Sequence, residues 1–181
     1  MLAGCAPDGP KFQASDVTGA AFGRDFQLND ANGKPRTLAD FRGKAVVMFF
    51  GYTHCPDVCP TTLAELAEVM KQLGPDAERV QVLFVTVDPE RDTPQLLAQY
   101  VPAFDPRFLG LYGDAAATER TAKEFKIIYQ KQPGVTPGSY TMDHSAGTYI
   151  FDPQGRLRLY VSYGQKPEVF AHDLRELLKG T

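Results

Sequence analysis

Two cysteines stand four residues apart in His-Cys-Pro-Asp-Val-Cys-Pro (54–60), each followed by proline, between an apolar run and a helix-like one. Such a pair can exchange disulfides, hold a soft metal ion, or merely pack. At a turn from a buried strand into a helix, unpaired N–H groups and the positive end of the helix dipole gather, so both thiols are expected to shift toward thiolate. The spacing is C-x-x-x-C rather than the C-x-x-C of disulfide oxidoreductases. Side chains four apart on a regular helix have Cβ atoms roughly 5–6 Å apart, whereas a disulfide wants about 3.5–4.5 Å. Pro60 also pushes Cys59 away from the helical region. The spacing and the prolines predict a non-ideal loop over 54–59 and a regular helix from Pro60 onward, able to close a disulfide when oxidised and to grip an ion when reduced.

Two thiolates suit Cu(I) above all, with zinc as competitor, and would leave an ion underheld without a third ligand. Histidine is the natural supplement, and the chain holds three: His54, His144 and His172. His54 adjoins Cys55, but adjacency in sequence does not make it share a direction. His172 falls midway along a terminal helix, where a surface or packing role is the plainer reading. His144 lies in YTMDHSAGTY, beside Asp143 and small residues that permit close approach. Taken alone it reads as an ordinary loop histidine rather than as a ligand.

The elements that must position these residues follow from apolar periodicity. DFQLNDANGKPRTLADF (25–41) is a strand, a turn at Asn32-Gly33 and a second extended piece. AVVMFFGY (45–52) and VQVLFVTVD (80–88) are continuous apolar runs of buried-strand length. TTLAELAEVMKQLG (61–74) sets Leu63, Leu66, Ala67, Met70 and Leu73 on one helical stripe. A helix starts at Thr93-Pro94, another spans 114–126, and KIIYQK (126–131) is extended. GTYIFDPQGRLRLYVSY (147–163) is a hairpin, and PEVFAHDLRELLK (167–179) an amphipathic helix. Strands alternating with helices make an α/β sandwich with helices on the sheet faces.

With 181 residues, 43% apolar and 23% charged, the chain is sized for one globular domain. A net charge of −3 without a basic run argues against a nucleic-acid surface. The longest apolar segment, AVVMFF (45–50), is too short to span a bilayer. The third cysteine, Cys5, ends Leu2-Ala3-Gly4-Cys5, which resembles the bacterial lipoprotein signal whose cysteine becomes the lipidated first residue. The charged and hydrophobic stretches of such a signal do not precede it here, so a leader is expected to have been trimmed. Residues 1–23 then read as a flexible tether and 24–181 as the folded domain.

Taken together, GYTHCPDVCP (51–60), VTVDPERDTP (85–94) and YTMDHSAGTYIFDPQG (140–155) closely resemble the Sco/SenC family of copper chaperones, in order and spacing across about residues 24–179. The resemblance implies a thioredoxin-like sandwich with a central mixed sheet and helices on both faces. It implies Cys55, Cys59 and His144 as ligands of copper, as Cu(I), Cu(II) or both. It further implies delivery of copper to the binuclear copper site of cytochrome c oxidase during assembly, the oxidase subunit carrying that site being the partner and a further copper chaperone the donor. The place of work would be the extracytoplasmic face of a bacterial membrane, with Cys5 as a lipid anchor where the family often has a transmembrane helix.

Asp88 is a turn-former before Pro89 on sequence alone; the resemblance sets it near the copper loop or a partner contact. Glu90, Arg91 and Asp92 read as solvated loop charges. Asp143 is either an acceptor that orients His144 or an ordinary loop carboxylate. Two other activities use the same pair. A thiol-disulfide oxidoreductase would keep the oxidase copper-ligand cysteines reduced through Cys55 and Cys59, without need of His144. A peroxidase would need one low-pKa cysteine in a polar shell, which two proline-flanked cysteines do not resemble.

Overall fold

The computed structural model describes residues 9–180. Its strands are β1 (Ser15–Asp16), β2 (Leu28–Asp30), β3 (Pro35–Arg36), β4 (Ala45–Gly51), β5 (Val80–Thr86), β6 (Leu109–Tyr112), β7 (Tyr129–Pro133), β8 (Tyr140–His144), β9 (Thr148–Phe151) and β10 (Leu157–Val161). The helices are α1 (Val58–Leu73), α2 (Pro94–Tyr100), α3 (Ala115–Glu124) and α4 (Pro167–Lys179). Eight strands form one mixed sheet in the order β1-β10-β9-β4-β5-β6-β2-β3, while β7 and β8 pair only with each other. β4, β5 and β6 run parallel, and the flanking pairs are antiparallel.

The apolar run 45–51 has no polar alternation because β4 lies between two strands and beneath helices on both faces. Phe49 meets Phe84 on one face, and Phe84 meets Tyr100 at the end of α2. α1 packs on α4. Phe50 points the other way, onto Phe125 just past α3. The thioredoxin-like sandwich expected from the resemblance is the architecture observed. The caps follow the chemistry of the sequence: Thr93 Oγ1 accepts from Leu96 N–H, with Pro94 opening α2, and Asp114 accepts from Ala117 N–H at α3.

Three features differ from the expectation. The short strand β6 had no signal of its own: four residues containing Gly110 are too few for a pattern, and its place follows from pairing with β5. Tyr140–His144, expected as loop, is strand β8, paired in register with β7 from Tyr129↔His144 to Pro133↔Tyr140. Residues expected to be tether are docked from Gln13 onward. Ser15 and Asp16 pair with β10, and the buried Asp173 carboxylate accepts from the N–H groups of Gln13 at 2.8 Å and Ala14 at 2.8 Å. Cys5 lies outside the described residues.

Asp173 is 0% exposed and also meets His172 Nδ1 at 2.8 Å. Asp173→Ala should therefore cost about 1–3 kcal/mol, the usual result of leaving buried partners unmatched. It should also raise amide exchange at Gln13 and Ala14 first. Unchanged exchange there by mass spectrometry would show that the segment is held by β1 pairing alone.

Candidate metal centre

Strand β4 delivers the chain to the cysteine loop, and α1 begins within it. Cys59 is the second residue of α1, so the regular helix starts at Val58 rather than at Pro60. Pro60 is tolerated there because the first-turn N–H groups have no intrahelical acceptor in any case. The expected irregularity is confined to 54–57. Cys55 stays outside the helix, half-buried, while Cys59 is 0% exposed. Its sulfur fits because residue 51 is glycine: a Cβ there would lie 2.8 Å from Cys59 Sγ and 2.9 Å from the Phe84 ring.

His144 is the last residue of β8, and its Nε2 lies 3.4 Å from Cys59 Sγ. Its Nδ1 is 2.9 Å from the Ser145 carbonyl, which can only accept, so Nδ1 carries the proton and Nε2 presents its lone pair to the sulfurs. Ser145 is itself pinned, its N–H donating to the Ile128 carbonyl at 2.9 Å and its Oγ accepting from Ile128 N–H at 3.1 Å. The ring stands edge-on to Tyr52 at 5.8 Å and to Phe49 at 6.3 Å. Of the two readings of Asp143, acceptor for His144 or ordinary carboxylate, the acceptor role falls instead to the Ser145 carbonyl, and Asp143 is exposed on the hairpin opposite Gln130.

The Sγ atoms of Cys55 and Cys59 and a ring nitrogen of His144 all lie within 4.8 Å of one another. Metal–sulfur bonds of about 2.3 Å and metal–nitrogen bonds of about 2.0–2.1 Å leave three donors around one ion roughly 3.5–4 Å apart, so the set closes on an ion with small movement. Two soft sulfurs and one imidazole are the donors copper favours. Neither His54 nor His172 joins them. His54 is exposed and leans toward Thr53 Oγ1 and Asp92, and His172 meets Asp173 on α4.

Burial sets the protonation of this site. It pushes the Cys59 thiol far above its ordinary value, partly opposed by the backbone at Tyr52. The shift toward thiolate expected from the helix start is therefore reversed at Cys59, because a helix end supplies only a partial charge while the sulfur has lost its water. Cys59 N–H does donate to Cys55 Sγ at 3.4 Å, so the dipole end serves the outer sulfur. Burial also lowers the pKa of His144, which keeps the imidazole neutral and able to ligate.

Two carboxylates expected to differ in role prove to be a pair. Asp88 and Asp92 are each 1% exposed. Asp92 accepts from Thr53 N–H at 3.0 Å, Thr53 Oγ1 at 2.6 Å and Thr86 Oγ1 at 2.6 Å, fastening the start of the cysteine loop to the end of β5. Asp88 accepts from Arg91 Nε at 2.6 Å and from the Tyr140 hydroxyl at 2.8 Å. The reading of Asp92 and Arg91 as solvated charges is corrected. Of their partners, Thr53 lies 39 residues from Asp92 and Tyr140 lies 49 from Arg91, so the sequence carries no signal of those pairings; Thr86 is six residues from Asp92. Glu90 remains exposed, paired with Lys131 at 2.6 Å.

A profile of the SCO1/SenC family matches residues 14–179, and the chain belongs to that family. The copper-bound structure of ScoI from Bradyrhizobium japonicum is 44% identical, with a TM-score of 0.80 over 87% of this chain and 100% of that one. Copper-bound yeast Sco1 is 30% identical, with a TM-score of 0.80 over 90% of this chain and 91% of that one. The mitochondrial SCO2 homolog of Mus musculus is 40% identical over 159 residues, covering 86% of this chain and 62% of that protein. A SCO2-like protein of Rickettsia felis is 33% identical over 159 residues, covering 87% of this chain and 76% of that protein. The chain thus spans under two-thirds of the mouse relative's length.

The two cysteines should differ in reactivity. In the metal-free, reduced protein, iodoacetamide at neutral pH should modify the half-buried Cys55 well before Cys59, whose thiol is fully buried and protonated. Peptide mapping by mass spectrometry over time reads the order. Faster labelling of Cys59 would mean that the helix dipole outweighs burial.

Proposed function

We propose that this protein is a metallochaperone that binds one copper ion through Cys55, Cys59 and His144 and delivers it to the binuclear copper site of cytochrome c oxidase during assembly. The observation that carries the reading is the convergence of two sulfurs and an imidazole nitrogen within 4.8 Å, with Cys59 and His144 85 residues apart in sequence. The copper-bound relatives support the choice of ion. Each thiol yields its proton as its sulfur binds, so uptake releases protons to solvent. A neutral imidazole from a separate hairpin is the ligand most readily exchanged for one from an acceptor. The oxidase subunit carrying the copper site is the acceptor, and a further copper chaperone is the donor.

Anaerobic Cu(I) titration against a competing chelator, with native mass spectrometry, tests this. The expected result is one copper per chain, loss of binding in Cys55→Ser and Cys59→Ser, and a drop of at least about tenfold in His144→Ala, the lower end for disturbing a metal site. A smaller drop in His144→Ala would sink the three-ligand site.

The second reading is thiol-disulfide exchange that keeps the oxidase cysteines reduced. It is favoured by two free thiols with Cys55 half-buried and reachable. Oxidase assembly in strains carrying Cys59→Ser or His144→Ala separates the two: equal failure speaks for copper delivery, and survival of the histidine variant for redox work.

We further propose that the domain works at the extracytoplasmic face of a bacterial membrane, anchored by lipid on Cys5. Among the described residues no helix is long and apolar enough to cross a membrane. Labelling of the expressed precursor with a fatty-acid analogue should mark the wild type and spare Cys5→Ser; equal labelling would exclude the anchor.

A further inference from the structure

His144 reaches the cysteines on the β7–β8 hairpin, whose strands pair with each other and not with the main sheet. The ladder that would fix a strand's place is therefore missing, and side chains must do it. Arg91 sits at the centre of the contacts that do. Its Nε donates to Asp88 Oδ2 at 2.6 Å, and its Nη1 donates to the Tyr140 carbonyl at 2.9 Å. The Tyr140 hydroxyl returns to Asp88 Oδ1 at 2.8 Å, closing a ring of three residues. The Arg91 guanidinium also lies over the Tyr140 ring at 3.6 Å, and 5.7 Å from the Tyr52 ring, the ring that meets His144 edge-on. On the outside, Lys131 of β7 pairs with Glu90 and lies 4.6 Å from the centroid of the Tyr140 ring.

Tyr140 begins β8 and His144 ends it, four residues on and so on the same side of the pleat, about 13 Å away. A small rotation at Tyr140 therefore moves the imidazole against the sulfurs. The inner contacts are the strong ones: Asp88 is 1% exposed, and a buried carboxylate matched by a guanidinium and a hydroxyl is both short-range and directional. The exposed Glu90–Lys131 pair adds little.

We infer that Arg91 and Tyr140 are positioning residues: with Asp88 they form a latch that sets the distance of His144 from the two sulfurs. Closed, the latch fixes the third ligand; open, it frees the hairpin to swing the imidazole away. The inference deepens the copper reading above and rests on it.

A double-mutant cycle on the full chain tests it, with Cu(I) affinity measured by chelator competition. Arg91→Ala should cost about tenfold, as loss of a group orienting a metal ligand does. Tyr140→Phe, which removes only a hydroxyl and keeps the fold, should cost severalfold. Arg91→Lys, which can face Asp88 but not also bridge to the Tyr140 carbonyl, should fall between wild type and Arg91→Ala. With His144→Ala already present, each latch substitution should change affinity by less than about twofold, because its effect runs through His144. Equal losses in both backgrounds, or no loss in either, would overturn the latch while leaving the copper site standing. Absence of copper binding in the wild type, or none lost in His144→Ala, would overturn the three-ligand reading and the latch with it.

Discussion

Two buried carboxylates at the ends of one turn, Asp88 and Asp92, hold the rest of this site in place. Taking a carboxylate out of water costs several kcal/mol unless its oxygens are matched by donors. Here every donor is a piece of the site: Thr53 and Thr86 for Asp92, Arg91 and Tyr140 for Asp88. The turn can be satisfied only where those donors are, so it registers the cysteine loop, the end of β5 and the hairpin against one another. The cysteine loop and the hairpin are thereby given one relative position without a covalent link.

That position matters because the centre of the site is dry. Cys59 has no exposure, and its sulfur faces a histidine whose protonation burial disfavours. The inner pair is neutral in the metal-free state: the Cys59 thiol donates to the His144 imidazole across 3.4 Å. A soft cation held there by Cys55, Cys59 and His144 would displace the thiol protons and offset part of the charge left on the sulfurs. A solvated thiolate would be open to oxidation; the buried, protonated Cys59 is less exposed to it. The outer sulfur, at the helix start and in reach of solvent, is the natural point of entry for an ion or a partner thiol.

The division between rigid and detachable parts follows the sheet. Cys59 is mounted on α1, which packs on α4 over the central strands, and Gly51 lets its sulfur sit against β4. His144 is mounted on two strands that the sheet does not include. One member of the Cys–Cys–His cluster thus belongs to the core, and another to an appendage. That asymmetry fits the proposed function, in which an ion is held and then given up.

Local chemistry in the sequence determined the central strands, the helices and their caps, because apolar runs, N-cap hydroxyls and carboxylates, and first-turn prolines act over a few residues. It also determined that the cysteine pair stands at a strand-to-helix turn, and the resemblance of three motifs brought His144 to it. Tertiary structure alone decided what depends on distance through space. Asp92 and Arg91 look like loop charges until Thr53, Thr86 and Tyr140 fold around them. The tether acquires an order when Asp173, about 160 residues away, receives its amides. Cys59 stays a thiol because packing strips its water, and no local pattern reports that. Propensity and capping are short-range and so can be read from the chain, whereas burial and ion pairing are summed over neighbours that only the fold brings together.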